Sequence, residues 1–150
     1  KVLKAKNEAK AAALSMESAK AQEKAAKLTA DGNKMQEAAA AMNKAQLEKD
    51  IADARMDYIL EEQKTQQKQL RAAEFGVYAA ESKWELEKAS ILVNNNISPG
   101  GFKYNDYEAQ QKQRVAEAAK SKQEADEAVG RLEQKRKQLE EKEKAFAAAK

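Results

Sequence analysis

The amino-acid sequence predicts an all-α fold, an elongated antiparallel coiled coil made of three helices. Three observations support this prediction. Strong helix formers dominate the composition, helix-breaking residues concentrate in two short stretches, and apolar residues recur every three and four positions. Because 35% of the 150 residues are charged and 5% are aromatic, we expect a long, thin seam of contacts instead of a compact core. We interpret residues 1–150 as a single elongated coiled-coil domain and as a fragment of a larger protein.

The first predicted helix covers about residues 1–29, and its apolar positions are mostly alanine. Gly32 can adopt the left-handed conformation that ends many helices, and Asn33 can cap the next helix, with Gln36 completing a capping box. Because this connection is short, we expect the first helix to lie antiparallel to the first half of the second one. That arrangement places Lys1 near Glu62.

The second predicted helix covers about residues 34–93 and carries apolar residues on two faces. The first stripe keeps one heptad register throughout and consists of Met35, Ala38, Met42, Ala45, Lys49, Ala52, Met56, Ile59, Gln63, Gln66, Leu70, Ala73, Val77, Ala80, Trp84, Glu87 and Ile91. A strict repeat over this length predicts a left-handed supercoil. The weaker second stripe consists of Leu47, Ile51, Ala54, Tyr58, Ala72, Phe75, Ala79, Leu86, Ala89 and Val93. Two stripes indicate two neighbouring helices.

Residues 61–69 interrupt this pattern because they are polar on every face of the helix. The segment is interpretable as a solvated, two-stranded stretch of coiled coil. It is also interpretable as a weak point at which a rod-shaped protein bends or opens. In both interpretations the second helix has the fewest apolar contacts with its neighbours in this segment.

The third predicted helix covers about residues 105–150 and follows a break at residues 94–101. In the break, Pro99 and Gly100 suit the middle of a type II turn. Asn105 is predicted to cap the third helix, with Glu108 completing a capping box and Asp106 in the first turn. An antiparallel return along the second helix would bring Lys150 near Leu47.

The residue types disfavour catalysis and most ligand chemistry. The chain has no histidine and no cysteine, which removes the usual general base, thiol nucleophile and thiolate ligand. Acidic and basic residues alternate along the helices as in surface ion pairs, and the net charge is only +3 without a basic stripe. No apolar run is long enough for a membrane span. We therefore predict no enzyme activity, cofactor, metal, nucleic-acid partner or direct membrane span.

Most aromatic residues of the chain lie around the second break. We hypothesise that this end of the protein binds a partner through residues that we call the tip residues: Trp84, Ile97, Pro99, Phe102, Tyr104 and Tyr107. The alternative is a small local core that closes the end of the coiled coil. The face of the second helix around Trp84, beyond the reach of the first helix, is a second candidate, as a binding surface or as an oligomer seam.

The segment from Trp84 to Tyr107, with its aromatic residues around Pro99, Gly100 and Gly101, resembles the tip of the receptor-binding helical hairpin of colicin-like bacteriocins. That resemblance implies a secreted bacterial toxin whose hairpin tip binds an outer-membrane protein while its arms separate the other domains. The additional first helix departs from a two-armed hairpin.

A short helix followed by two long antiparallel helices is similar to the coiled-coil domain of type III secretion translocators. The third alternative is an intracellular scaffold rod located in the cytoplasm. For the scaffold we expect self-association along the second stripe.

Overall fold

The computed structural model describes residues 1–29, 31–97 and 99–148 of the chain. These residues form three α-helices, α1 (Val2–Thr29), α2 (Gly32–Asn94) and α3 (Tyr104–Ala148), and contain no β-strand. The predicted all-α fold with three helices is therefore confirmed. The sequence predicted one domain, and the contacts of the chain group into two compact units. Unit 1 contains residues 1–63 with the part of α3 from Arg131 onward, and unit 2 contains Lys64–Gly130.

In unit 1, α1 lies antiparallel to the first part of α2 and covers the first stripe. The Lys1 Nζ lies 3.2 Å from the Glu62 Oε1, as the sequence predicted. Met16 and Ala19 of α1 form a buried cluster with Ala45 of α2. The other alanines buried on the facing sides of α1 and of the first stripe of α2 are Ala5, Ala26, Ala38 and Ala52. Alanine side chains allow the two backbones to approach closely, so dispersion contacts accumulate along a thin seam.

The last part of α3 also lies in unit 1 and runs antiparallel to α2. The Arg131 Nε lies 3.2 Å from a carboxylate oxygen of Glu61. Further along α3, the Lys142 Nζ donates a hydrogen bond of 3.3 Å to the Asp50 carbonyl oxygen. Residue numbers thus rise along α3 as they fall along α2. The predicted position of Lys150 lies outside the described residues.

In unit 2, α3 packs against the second stripe of α2. The residues buried there are Thr65, Ser82 and Ala89 on α2, and Ser121, Ala125 and Ala128 on α3. Four large members of the first stripe remain exposed instead, namely Leu70 (63% exposed), Val77 (55%), Trp84 (60%) and Ile91 (60%). The second stripe, along which we expected an intracellular scaffold rod to self-associate, is occupied by α3 in this unit. The first stripe is the open one.

Thr65 fills the apparent gap in the second stripe. Its side chain is 2% exposed, and its Oγ1 donates a hydrogen bond of 3.3 Å to the Ala128 carbonyl oxygen. Thr65 lies seven positions after Tyr58 and seven positions before Ala72, so the heptad spacing of the stripe is uninterrupted. The polar segment therefore packs on α3 through a hydrogen-bonded threonine, while neighbours such as Gln66 and Gln67 are exposed.

The start of α2 differs from the prediction. Asp31, not Asn33, caps the helix, because the Asp31 Oδ1 accepts hydrogen bonds from the backbone N–H groups of Asn33 (3.1 Å) and Lys34 (3.4 Å). Gly32 is the first helical residue, and its φ is not positive, so it does not end α1 in a left-handed conformation. A carboxylate at this position accepts hydrogen bonds from two backbone N–H groups that have no partner within the helix. Its negative charge also interacts favourably with the positive end of the helix dipole.

Replacing Asp31 with alanine is expected to lower the free energy of unfolding by about 1 kcal/mol, because two backbone donors lose their acceptor. Urea unfolding followed by circular dichroism at 222 nm would measure the loss. Asp31→Asn is the matched control, since an asparagine caps helices about as well as an aspartate. Equal losses in the two variants would contradict the assigned cap.

Candidate functional site

The connection between α2 and α3 begins with a Schellman motif. The Ile97 N–H donates a hydrogen bond of 2.9 Å to the Leu92 carbonyl oxygen, and the Asn96 N–H donates one of 3.0 Å to the Val93 carbonyl oxygen. Asn96 has a φ of 56°, a left-handed conformation that asparagine tolerates better than most residues. These bonds hold the backbone at Ile97 against the end of α2.

A glycine turn follows. The Phe102 N–H donates a hydrogen bond of 3.0 Å to the Pro99 carbonyl oxygen, which places Gly100 and Gly101 in the middle of the turn. The sequence predicted Pro99 and Gly100 in the middle of the turn, and this prediction is wrong by one residue. The physical reason is that Gly101 has a φ of 84°, which the third position of a type II turn requires and which favours glycine.

Helix α3 begins one residue earlier than predicted, at Tyr104. The Asp106 N–H donates a hydrogen bond of 3.1 Å to the Lys103 carbonyl oxygen. Asn105 thus lies inside the first turn and does not cap the helix. Asp106 occupies the first turn as predicted, where its charge favours the helix dipole.

The structure brings part of the tip residues together. Phe102 and Tyr107 are half-buried, with ring centroids 5.6 Å apart and an angle of 33° between the ring planes. Tyr104 is also half-buried, whereas Ile97 (53% exposed) and Pro99 are exposed. The aromatic rings thus form a partial local core, and two apolar side chains of the connection face solvent.

Trp84 stands apart from the other tip residues. It lies ten residues before the end of α2 at Asn94, which corresponds to about 15 Å along a helix. The residue is 60% exposed, and the Lys88 Nζ lies 3.0 Å from the centroid of the Trp84 ring. A lysine over an indole face is a cation–π contact within the same helix. Trp84 therefore belongs to the open face of α2.

We call this open face of α2 in unit 2 the unpaired face and define it as Leu70, Ala73, Val77, Ala80, Trp84 and Ile91. All six residues are exposed, and they occupy the heptad positions of the first stripe. The sequence identified this face through Trp84. The sequence did not predict that α3 would leave the four large residues of this face, Leu70, Val77, Trp84 and Ile91, exposed.

A second pair of aromatic residues lies on the side of α2 that faces α3. Phe75 and Tyr78 have ring centroids 6.2 Å apart in an edge-to-face arrangement. The Arg114 guanidinium carbon of α3 lies 5.3 Å from the centroid of the Tyr78 ring. This pair joins α2 to α3 in unit 2 and is separate from the Phe102–Tyr107 contact.

Unit 1 contains a three-helix ion cluster that sequence reasoning missed. The Arg55 guanidinium of α2 lies 3.5 Å from a Glu8 oxygen of α1 and donates a hydrogen bond of 2.8 Å to the Glu143 Oε1 of α3. The hydrogen bond to Glu143 raises the pKa of Arg55 above its usual value, against the opposing effect of burial. The cluster is a structural cross-link at the rim of an open groove that Ala12, Ile51 and Phe146 also line. The sequence did contain a signal for the contact between Glu8 and Arg55. Glu8 lies seven residues after Lys1, and Arg55 lies seven residues before Glu62, so two antiparallel helices that pair Lys1 with Glu62 also bring Glu8 to Arg55.

Across the residues that the structure describes, no group of three or more acidic residues is placed to hold a metal ion. Within the same residues, no helix is both long enough and apolar enough to cross a lipid bilayer. The features that stand out are therefore apolar surfaces, at the connection after α2 and on the unpaired face.

Comparison of the chain with protein-family models, curated proteins and solved structures finds no match.

Proposed function

We propose that the chain is a protein-binding coiled-coil module, without enzyme activity, that contacts its partner through the connection between α2 and α3. One observation carries this proposal. Ile97 and Pro99 are exposed apolar residues in a connection whose backbone is held by hydrogen bonds at both ends. Turns that only reverse the chain are built mainly from Gly, Pro, Asn, Asp and Ser, so the exposed isoleucine is the residue that chain reversal does not explain.

The ordered backbone favours binding in energetic terms. The Schellman motif at Ile97 and the turn before Phe102 hold the backbone at these two residues in place before a partner arrives. Preorganisation of this kind reduces the conformational entropy that association would otherwise cost. The half-buried rings of Phe102, Tyr104 and Tyr107 add rigid contact area beside the exposed residues.

The partner that this surface fits best is a folded protein receptor with a small apolar pocket. The net charge of +3 and the alternation of charge along the helices give no reason to invoke nucleic acid. The resemblance of the tip to the receptor-binding hairpin of bacteriocins supports an outer-membrane protein as receptor and a secreted bacterial toxin as the parent protein.

Replacing Ile97 with serine is expected to abolish saturable binding of the labelled protein to intact Gram-negative cells, with little effect on folding. The Ile97 side chain is 53% exposed, and the capping hydrogen bond uses its backbone N–H, which serine retains. Leu28→Ser is the matched control, since Leu28 is 88% exposed and lies at the end of α1. Flow cytometry with unlabelled protein as competitor would measure binding. Equal binding by the two variants, or no saturable binding of the wild type, would contradict the proposal.

The helix lengths favour a second candidate, the coiled-coil domain of a type III secretion translocator. Helix α1 has 28 residues, whereas α2 and α3 have 63 and 45. A two-armed bacteriocin hairpin does not require α1. A photoreactive amino acid at position 97 distinguishes the candidates by the adduct formed. An outer-membrane protein as adduct supports the bacteriocin, and a component of a secretion apparatus supports the translocator.

A further inference from the structure

Helix α1 carries its three leucines on the side that faces away from α2. Leu3, Leu14 and Leu28 are 73%, 66% and 88% exposed, which makes them the three most exposed large apolar residues that the structure describes. They are 11 and 14 residues apart, close to three and four whole turns of an α-helix, so they lie along one line. Met16 and Ala19, on the opposite side of α1, pack against α2. The packing of α1 on α2 therefore does not account for the leucines.

The lysines of α1 divide into paired and unpaired ones. The helix contains six lysines and three glutamates. Glu8 is within ion-pair distance of Lys4 and Arg55, and Glu23 is paired with Lys27. Among the residues that the structure describes, four exposed lysines of α1 have no ion-pair partner, namely Lys6, Lys10, Lys20 and Lys24. This local excess of lysine departs from the alternation of charge along the rest of the chain.

The unpaired lysines and the leucines share one surface. Three of these lysines lie three or four residues from a leucine, a spacing that places side chains on the same side of a helix, and Lys20 lies one turn before Lys24. The groove that involves α3 is on the other flank of α1, where Ala11 and Ser15 line it. We call the surface the outer face of α1 and define it as Leu3, Lys6, Lys10, Leu14, Lys20, Lys24 and Leu28. Glu17 is the acidic residue beside it.

We propose that the outer face of α1 binds the surface of a lipid bilayer that contains anionic phospholipids. The four unpaired lysines complement the phosphate groups of such a surface, which attracts basic segments. The leucines between them enter the boundary between headgroups and acyl chains, as the apolar residues of a surface-bound helix do. The helix lies on the bilayer and does not cross it. The proposal does not depend on receptor binding through the connection between α2 and α3.

The spacing of the leucines favours a bilayer over a partner helix. A helix–helix seam needs an apolar residue at every third or fourth position, whereas Asn7, Lys10 and Ser18 interrupt this line. The three leucines stand about 16 Å and about 21 Å apart along the helix axis. A fluid bilayer accepts each leucine independently, but a rigid protein would need three pockets at these distances. An acidic protein would satisfy the lysines and leave the leucines exposed.

Co-sedimentation of the full chain with lipid vesicles tests the proposal. The chain is expected to bind vesicles of equal parts phosphatidylglycerol and phosphatidylcholine and not to bind vesicles of pure phosphatidylcholine. Binding should weaken as salt is added, since exposed charges are screened beyond about 10 Å at 0.1 M salt. Absence of binding to the anionic vesicles, or equal binding to both kinds, overturns the proposal.

A double charge reversal tests the assigned lysines. Lys10→Glu combined with Lys24→Glu is expected to weaken vesicle binding at least about 30-fold, because each lysine near an anionic surface adds to the attraction. The matched control combines Lys112→Glu with Lys137→Glu, which changes the net charge equally at exposed lysines of α3. All four lysines are exposed, so helix content should not change. Equal loss of binding in the two double variants overturns the assignment to α1.

Replacing a leucine separates lipid binding from attraction to any polyanion. Leu14→Ser is expected to weaken vesicle binding about 10-fold, because one apolar side chain no longer leaves water. Leu70→Ser is the matched control, since Leu70 is 63% exposed but lies on α2. Poly-L-glutamate should bind Leu14→Ser and the wild type equally. Unchanged vesicle binding by Leu14→Ser would indicate recognition of charge alone, as in an acidic protein partner, and overturns the lipid proposal.

Receptor binding and lipid binding can fail separately. Ile97→Ser is expected to bind anionic vesicles like the wild type, because Ile97 lies outside α1. Leu28→Ser is expected to bind vesicles more weakly yet to keep its saturable binding to cells, since unlabelled protein displaces only the saturable fraction. Loss of vesicle binding in Ile97→Ser would overturn the assignment of lipid binding to α1.

Discussion

Replacing Ala45 with aspartate is expected to destabilise unit 1 by about 3 kcal/mol, a typical cost for an uncompensated charge in a closed helix interface. Ala45 is 4% exposed and packs with Met16 and Ala19 of α1. The short aspartate side chain cannot extend to solvent as a lysine could. We therefore expect α1 to separate from α2 at lower denaturant concentration than in the wild type.

The pH dependence of this variant gives a second readout. Burial should raise the pKa of the introduced carboxyl group above its unfolded value, because burial disfavours the charged form. A carboxyl group with a raised pKa destabilises the folded state at neutral pH. This penalty shrinks as the pH falls through the raised pKa and disappears below the unfolded-state pKa of about 3.9, where the carboxyl group is protonated in both states. The difference in unfolding free energy from a control should therefore shrink on acidification.

Ala40→Asp is the control for this experiment, since Ala40 is an exposed residue of the same helix. Urea unfolding at several pH values, followed by circular dichroism, would compare the two variants. A similar loss of stability in both would mean that helix propensity, and not burial between α1 and α2, determines the effect.

Replacing Ala128 with leucine is expected to destabilise unit 2 by about 2 kcal/mol, because extra methylene groups have no space in a closed interface. Ala128 is 0% exposed, and its carbonyl oxygen accepts the hydrogen bond from the buried Thr65 Oγ1. A leucine here must push α3 away from α2 or adopt a strained rotamer. Separation of the helices would also break the hydrogen bond from Thr65 to the Ala128 carbonyl oxygen.

Hydrogen exchange would locate this effect, since amides of α2 and α3 in unit 2 should lose protection relative to the wild type. Ala119→Leu is the matched control, because Ala119 is an exposed residue on the same helix. We expect that control to change stability by no more than about 0.5 kcal/mol, as exposed substitutions usually do. Retained protection around Thr65 in Ala128→Leu would contradict the proposed close packing.

The local elements were predictable to within one or two residues. Helix propensity and heptad spacing act over a few neighbouring residues, so they identified α1, α2 and α3. The short connection after α1 then predicted the antiparallel arrangement that places Lys1 beside Glu62. The errors arose at the caps. Asp31 and Asn33 are both good capping residues, and only the observed hydrogen bonds show that Asp31 fills the position.

The candidate site was predictable only in part. The residue types around the second break indicated an apolar surface, and Ile97 and Pro99 are indeed exposed. Whether Phe102 and Tyr107 would face solvent or each other depends on the turn at Gly101, which is one residue out of the predicted register.

Which stripe of α2 receives α3 was decided by the tertiary structure alone. By hydrophobicity, the face with Leu70 and Trp84 is the better candidate, yet both residues are exposed. The small residues Ser121, Ala125 and Ala128 of α3 instead meet a face that contains Thr65, Ser82 and Ala89, where the two backbones can approach closely. The sequence alone determines that three helices form and that α2 has two faces to cover. The choice between those faces depends on close packing over the whole length of the contact, which no local pattern encodes.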